Sequence, residues 1–404
     1  MNGTEPAILD PLKAGIRTGE ISILCGTRGR PELLAKSFAS LKANTVQKDK
    51  THLWIYVDDD DQIMRQAIAN KTIPEPGLPI HWHIAPRTAG LGQIHQALWN
   101  ASGRASEVYM FASDKSDFAT PGWDDVIRAK SAEHPDGVML AFAHDPNTAD
   151  QGTYPILGWN WVKTLGYFFP GYFPFWFDDL WMDQIGRMVG RFVKLPIVIA
   201  PVGGARGRTQ RMRNVPFWTR FFQLMLPERK EAARKLISAM NLPDKAARGA
   251  ALKNMEEVAA RLAKEQENFS DVYATFQEER HTAVSPEERN RFNPLYFKLE
   301  TQAVARLISF AEEFVAQGNH TEALKYLDAT LLSDVRVRWA EKLKVDCLRA
   351  LGRQSEADQL AKQVLAAWPE MGAVRRGFRF LGMVASEGKR LFVIATEKNT
   401  KHSK

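Results

Sequence analysis

The stretch YMFASDKSDFATPGWDD, Tyr109 to Asp125, decides how this chain is read. It begins as a continuous apolar run, as a strand buried on both faces does, and turns polar at Asp114. Lys115, Ser116 and Asp117 follow, then the turn Pro121–Gly122–Trp123 and two more acids, Asp124 and Asp125. Acids at a strand end are either a solvated turn or the mouth of a site. The second reading has a physical basis, since open α/β sheets bind ligands outside the carboxyl ends of their strands.

Working outward, the same texture recurs upstream. ISILCGT (Ile21–Thr27) reads as a buried strand, and a helix with apolar Leu33, Leu34, Phe38 and Leu41 follows from Pro31. HLWIYVDDDD (His52–Asp61) and IHWHIAP (Ile80–Pro86) are further strands, and a helix is expected over Gly92–Ala101. EVYMFAS (Glu107–Ser113) and GVMLAFAHD (Gly137–Asp145) complete the series. Strand and helix alternating in this way predict a Rossmann-like α/β domain with a mostly parallel sheet. Three strand ends are acidic: Asp58–Asp61, Asp114 with Asp117, and Asp145. A fourth acidic point, Asp178 and Asp179, lies between an aromatic segment and a helical pattern.

Bulk properties bound the reading. The 404 residues suffice for two or three domains, with 45% hydrophobic and 25% charged residues as in soluble globular proteins. The net charge of +7 favours anionic partners without choosing among them. Cys25 and Cys347 lie far apart, which argues against a disulfide scaffold or a cysteine zinc site and suits a reducing cytoplasm. His81, His83, His95 and His144 show no metal spacing. The opening MNGTEPAILDPLKAG has no signal-peptide pattern, and the apolar LGYFFPGYFPFWF is broken by Pro170, Gly171 and Pro174. A soluble cytoplasmic protein, at most peripheral to a membrane, is expected. Nucleic acid is not an expected partner, because basic residues are not interleaved with aromatics along one face.

Beyond Gly204 the composition changes. ARGRTQRMRNVPFW is a basic loop with Arg206, Arg208, Arg211 and Arg213, and helix formers then dominate, apart from a late strand at RLFVIAT. AQGNHTEALKYL and ALGRQSEADQLA form a weak internal repeat, each helix–glycine turn–helix with Gly318 or Gly352 at the turn and Ala323 or Ala357 inside. Their spacing resembles the tetratricopeptide repeat, which implies a helical domain able to hold a protein partner. The expected domains are 1–215, a helical linker region 216–300, a repeat-like helical domain 301–385 and a tail 386–404, disordered at its end.

Four motifs in order resemble the GT-A class of nucleotide-sugar glycosyltransferases, closest to the large family of inverting bacterial enzymes. These are ISILCGTRGRPELLAKSFASLKANT, LWIYVDDDDQ, YMFASDKSDFATPGWDD and FDDLWMDQIGRMVG, and together they span about half of the chain. The resemblance implies a UDP- or GDP-sugar donor, a glycan, lipid-linked or protein acceptor, and a Mn²⁺ or Mg²⁺ ion on the leaving diphosphate. Residue by residue, it implies Asp58 as the base or ribose contact, Asp114 as a metal ligand, and Asp179 as general base with Asp178 beside it. The family's second metal-binding aspartate falls at Ser116, which leaves Asp117 as the substitute. Thr27, Arg28 and Arg30 on the first turn, and Arg208 and Arg211 on the basic loop, are expected to meet the nucleotide. Trp159, Trp161, Tyr172 and Trp176 are expected as an aromatic acceptor platform. Two other readings stand beside this one: an inactive GT-A domain serving as a binding module, and a sugar nucleotidyltransferase.

Overall fold

The first strand, β1 (Arg17–Thr27), lies at the heart of the sheet because its central residues, mostly apolar, are wholly enclosed. In the computed structural model, residues 15–148, 152–174, 176–202, 214–269, 286–367, 380–386 and 389–395 are described. Helix α1 (Pro31–Asn44) starts at a proline whose fixed φ suits the first helical position, and it buries Leu34, Phe38 and Leu41 at helical spacing. Then come β2 (Thr51–Asp58), α2 (Gln62–Ala69), β3 (Ile80–Ala85), α3 (Leu91–Ala101) and β4 (Ser106–Ser113). β1, β2, β3 and β4 pair in parallel, in the order β3-β2-β1-β4.

The chain therefore winds outward from β1 to β3 and then returns to place β4 on the other side of β1. That reversal opens a crevice at the carboxyl ends of β1 and β4, where doubly wound sheets bind ligands. Beyond β4 the sheet becomes mixed. β5 (Ser116–Phe118), α4 (Trp123–Ala132), β6 (Leu140–His144), β7 (Pro155–Gly158), α5 (Trp159–Leu165), α6 (Asp178–Val189) and β8 (Phe192–Pro201) follow, and the full order is β3-β2-β1-β4-β7-β6-β8-β5. β7 runs antiparallel to both neighbours, and β5 pairs antiparallel with β8. The mostly parallel α/β sheet expected from the sequence is present, with this antiparallel portion added.

Ile23, Ile55, Val57, Met110 and Ala112 form one core with Leu34, Phe38, Phe118 and Trp123. Fully enclosing each of the larger aliphatic side chains contributes about 1.5–3 kcal/mol. The Pro-Gly-Trp turn serves this core. Gly122 takes a left-handed φ of +71°, Trp123 is fully buried, and its indole N–H donates to Thr45 Oγ1 at 3.2 Å.

The chain forms two compact units, Met1–Thr209 with Pro227–Leu262, and Gln210–Leu226 with Ala263–Lys404. The region expected as a linker, 216–300, is thus shared. α7 (Val215–Leu224) belongs to the second unit, whereas most of α8 (Leu226–Ala239) and α9 (Lys245–Glu265) belongs to the first. Within the first unit, Arg229 of α8 is buried over the Trp181 ring at 4.8 Å, and burial pulls its pKa down to about 9.

The second unit contains two helical hairpins. α10 (Pro286–Ala316) turns into α11 (His320–Thr330), and α12 (Arg338–Ala350) into α13 (Gln354–Ala367). Gly318 and Gly352 occupy the turns at φ +75° and +73°, where a Cβ is disfavoured, and Ala323 and Ala357 are buried inside. Strand β9 (Val335–Val337) stands between the hairpins and joins β10 (Phe380–Ser386) and β11 (Lys389–Ala395) in an antiparallel sheet. That small sheet adds to the helices expected here, and β11 coincides with the late strand read from RLFVIAT. Residues 396–404 lie outside the described residues. Among the described residues, no helix is long and apolar enough to cross a membrane.

Candidate active site

The site is assembled at the β1–β4 crevice. Thr27 closes β1 and Asp114 follows β4, and the Thr27 hydroxyl donates to Asp114 Oδ2 at 2.9 Å. The same oxygen accepts from Arg30 Nη2 at 2.9 Å. The Asp114 side chain is completely buried, and its Oδ1 has no hydrogen-bond partner, nor has Arg30 Nε. Burial pushes the Asp114 carboxyl up, while Arg30 and Thr27 pull it back only in part.

The four-aspartate run at the end of β2 divides its tasks. Asp58 accepts from Arg28 Nη1 at 2.8 Å, and Asp60 takes both guanidinium nitrogens at 2.5 and 3.2 Å. Burial raises the Asp58 pKa against the pull of Arg28. Asp61 is buried rather than part of a solvated turn: Oδ1 caps α2 on the Met64 N–H, and Oδ2 accepts the Gly29 N–H at 2.6 Å. Gly29 has φ +62°, so Asp61 fixes the turn that carries Arg28 and Arg30. Asp59 is the exposed member of the run.

Helix α3 links this turn to the second acidic point. Ile94 packs on Gly26, where an added Cβ would come within 3.3 Å of Ile94 Cγ2. Two residues earlier, a Cβ on Gly92 would meet the Gly171 backbone at 2.6 Å, with Asp178 Oδ1 3.5 Å away. A Cβ on Gly90 would strike the Phe173 carbonyl oxygen at 2.2 Å. The glycines of Ala89-Gly90-Leu91-Gly92 therefore permit close approach of the 171–178 segment. That Gly-x-Gly pattern is the sequence signal for this contact, and it lies outside the four motifs that point to the site.

Trp176 and Phe177 both adopt left-handed φ, 67° and 59°, immediately before Asp178. Two successive aromatic residues in this region carry strain of order 1–3 kcal/mol each. The kinked backbone starts α6 with both carboxyls in its first turn. Asp178 is buried against α3, and neither of its carboxyl oxygens has a partner. Burial first, and then neighbouring Asp179, hold its pKa well above the carboxylate range. Asp179 is half-buried. Its Oδ1 accepts the Leu180 N–H at 2.9 Å, and burial again raises its pKa.

His95, on the buried face of α3, is a core residue. Its Nδ1 lies 2.7 Å from the Leu91 carbonyl, and its ring packs among Phe111, Phe168 and Phe169. Burial pulls its pKa down to about 4.

Other expected site residues fall elsewhere. Ser116 is buried, accepts the Ser113 N–H at 2.9 Å, and pairs with Pro201 in the β5–β8 ladder. Asp117 lies between Ser116 and Phe118, so strand alternation turns it to the opposite face from those two buried residues. Asp145 caps its own turn by accepting from the Asn147 N–H at 2.8 Å. Asp124 is structural: burial raises its pKa, but N–H groups of Val46 and Gln47 and the Arg128 guanidinium outweigh that and leave it lowered. Trp159 and Trp161, expected on an acceptor platform, are instead core residues. The Trp159 ring lies over the bare backbone of Gly137, and Trp161 is fully enclosed. Tyr172 donates to Glu228 at 2.6 Å, and Tyr172 and Trp176 are half-buried. Arg206, Arg208, Arg211 and Arg213 lie outside the described residues.

The donor set does not fit the divalent ion implied by the resemblance. No group of three His, Cys, Asp or Glu side chains converges as a metal site among the described residues. Arg28, Arg30, Arg87 and Lys115 act on Asp58, Asp60 and Asp114, so each of these carboxylates already faces protein cations.

No protein-family model matches the chain, and no curated protein matches it. Among solved structures, Staphylococcus aureus TarS 1–349 in complex with UDP is similar at 12% identity and a TM-score of 0.41, over 92% of this chain and 98% of that one. The mannosyltransferase PcManGT from Pyrobaculum calidifontis, in complex with GDP-Man and Mn²⁺, is similar at 12% identity and a TM-score of 0.39, over 78% and 88%. A cytidylyltransferase from Leptospira borgpetersenii is similar at 10% identity and a TM-score of 0.30, over 56% and 98%.

Proposed function

We propose that this chain is a nucleotide-sugar glycosyltransferase, moving a sugar from a UDP- or GDP-type donor to a hydroxyl of a glycan, lipid-linked or protein acceptor with inversion. One observation carries the reading. At the carboxyl ends of β1 and β4 a buried acid after β4 meets Arg30 of the turn after β1, Arg28 of that turn holds Asp58, and α3 packs on β1 and lies against a buried carboxyl with no partner. A nucleoside diphosphate needs cations, the sugar and ribose hydroxyls need acceptors, and an attacking hydroxyl needs a base. The four sequence motifs that resemble GT-A enzymes contribute Thr27, Arg28 and Arg30, Asp58, Asp114, and Asp178 with Asp179.

In this reading Arg28 and Arg30 face the diphosphate, and Asp58 accepts from the ribose or base. Asp179 is the general base. Its Oδ1 is held by the Leu180 N–H, its side chain is only partly buried, and its raised pKa brings it nearer the working pH of a base. Asp178 lines the donor sugar's pocket, where its unpartnered oxygens accept hydroxyls. Tyr172 and Trp176 border the acceptor side. The helical hairpins of the second unit offer a surface for a protein partner.

The test is release of UDP or GDP from a panel of nucleotide sugars with mixed hydroxyl acceptors. Turnover with one donor is expected, and Asp179→Asn should lower kcat about 10²–10⁴-fold while donor binding persists. Absence of turnover with every donor, or an Asp179→Asn variant with full activity, would refute the assignment.

A further inference from the structure

We infer that Arg30 does the electrostatic work of a divalent metal on the leaving diphosphate, and that Asp114 is a hydroxyl acceptor whose charge holds Arg30 in place. The inference rests on the proposed function and specifies the chemistry of its donor site.

Three observations lead to it. Asp114 directs one oxygen at Thr27 and Arg30 and leaves the other buried and unpaired. A carboxylate oxygen in that state repels phosphate oxygens but accepts a sugar or ribose O–H. Arg30 has spent Nη2 on Asp114, while its Nε–H is unspent. A guanidinium anchored on one edge, with a buried and unpaired N–H on another, suits a phosphate oxygen, because its donors are planar, fixed and always charged. Ser116, at the position of a second metal ligand, is committed to the Ser113 N–H and is uncharged.

The transfer step balances without another co-reactant. The acceptor oxygen forms the new bond to the anomeric carbon, and its proton passes to Asp179. The bond from that carbon to the diphosphate oxygen breaks, and both electrons leave with the diphosphate. Arg30 offsets the negative charge that collects there, and its own proton count does not change.

The experiment is calorimetric titration of the full chain with UDP and with GDP, in EDTA and in Mn²⁺. One nucleotide is expected to bind equally in both buffers. Arg30→Ala should weaken that binding about 10- to 100-fold in EDTA, the loss of a charge-assisted contact. Because Arg30→Ala strands a buried carboxylate, Arg30→Lys is the companion variant: it keeps the charge without the fork, and should bind in EDTA with an intermediate affinity. Binding that requires Mn²⁺ overturns the inference and leaves the glycosyltransferase reading standing. So does EDTA binding indifferent to Arg30→Ala. Failure of both nucleotides in both buffers overturns the donor site itself.

Discussion

Acidification should weaken the fold through one residue, His95, and the size of the effect follows from its surroundings. The ring is fully buried among three phenylalanines, and its pKa falls from 6.5 to about 4. Between those values the unfolded chain binds a proton that the folded chain refuses. The stability contributed by the neutral ring is therefore complete above pH 6.5 and is lost as pH falls towards 4. The linkage relation gives a loss of about 2 kcal/mol on going from pH 7.5 to pH 5, and a limit of about 3.4 kcal/mol at lower pH. The assay is urea unfolding followed by tryptophan fluorescence, for wild type and for His95→Leu, across that range. Other titrating groups are common to both proteins and cancel in the difference. The lost contact to the Leu91 carbonyl adds an offset independent of pH. The wild-type advantage should shrink by about 2 kcal/mol at pH 5, and a change under about 0.5 kcal/mol would refute the account of His95 as a buried neutral base.

Further outcomes follow from other contacts. Gly92→Ala should cost about 1–3 kcal/mol by overpacking against Gly171 and should also abolish turnover, measured by melting temperature and product release. The folded Asp178 carboxyl has its pKa raised above 3.8, so its contribution to stability declines as pH rises above that value; Asp178→Asn should thus gain on wild type in urea unfolding as pH increases. Asp179, raised in the same direction, should give a kcat/KM that falls on the acid side at a pH above 3.8, a limb missing from Asp179→Asn. In the second unit, Asn319 caps α11 on the Glu322 N–H, so Asn319→Ala should lower that unit's stability by about 1 kcal/mol in denaturant unfolding.

The sequence disclosed what is local. ISILCGT and EVYMFAS are mostly apolar, so their burial on both faces was legible, and strand ends are where acids in such sheets count. It did not disclose which donor each acid would meet. Asp61 reaches Gly29, and Arg30 reaches Asp114 across two strand–helix units, and no spacing rule encodes contacts of that separation. The aromatic segment was ambiguous for a different reason. Tryptophan suits a sugar platform and a core equally well, and only the glycine at position 137 made room to bury Trp159. Left-handed Trp176 and Phe177 were illegible because aromatic side chains disfavour that conformation, so tertiary contacts must impose it.

The division of the chain between units has a consequence for synthesis. The first unit is interrupted: after Thr209 the chain builds α7 for the second unit, and it returns with Pro227–Leu262. Leu262 emerges 53 residues after Thr209 (262 − 209), which at about 5–20 residues per second is a delay of about 3–10 s. Glu228 and Arg229 follow Thr209 by 19 and 20 residues (228 − 209 and 229 − 209), about 1–4 s at that rate, and until they emerge Trp181 lacks the Arg229 that covers its ring and Tyr172 lacks Glu228. A nascent chain halted near residue 215 should therefore hold its sheet yet display an aromatic face, and bind chaperones that the completed chain escapes.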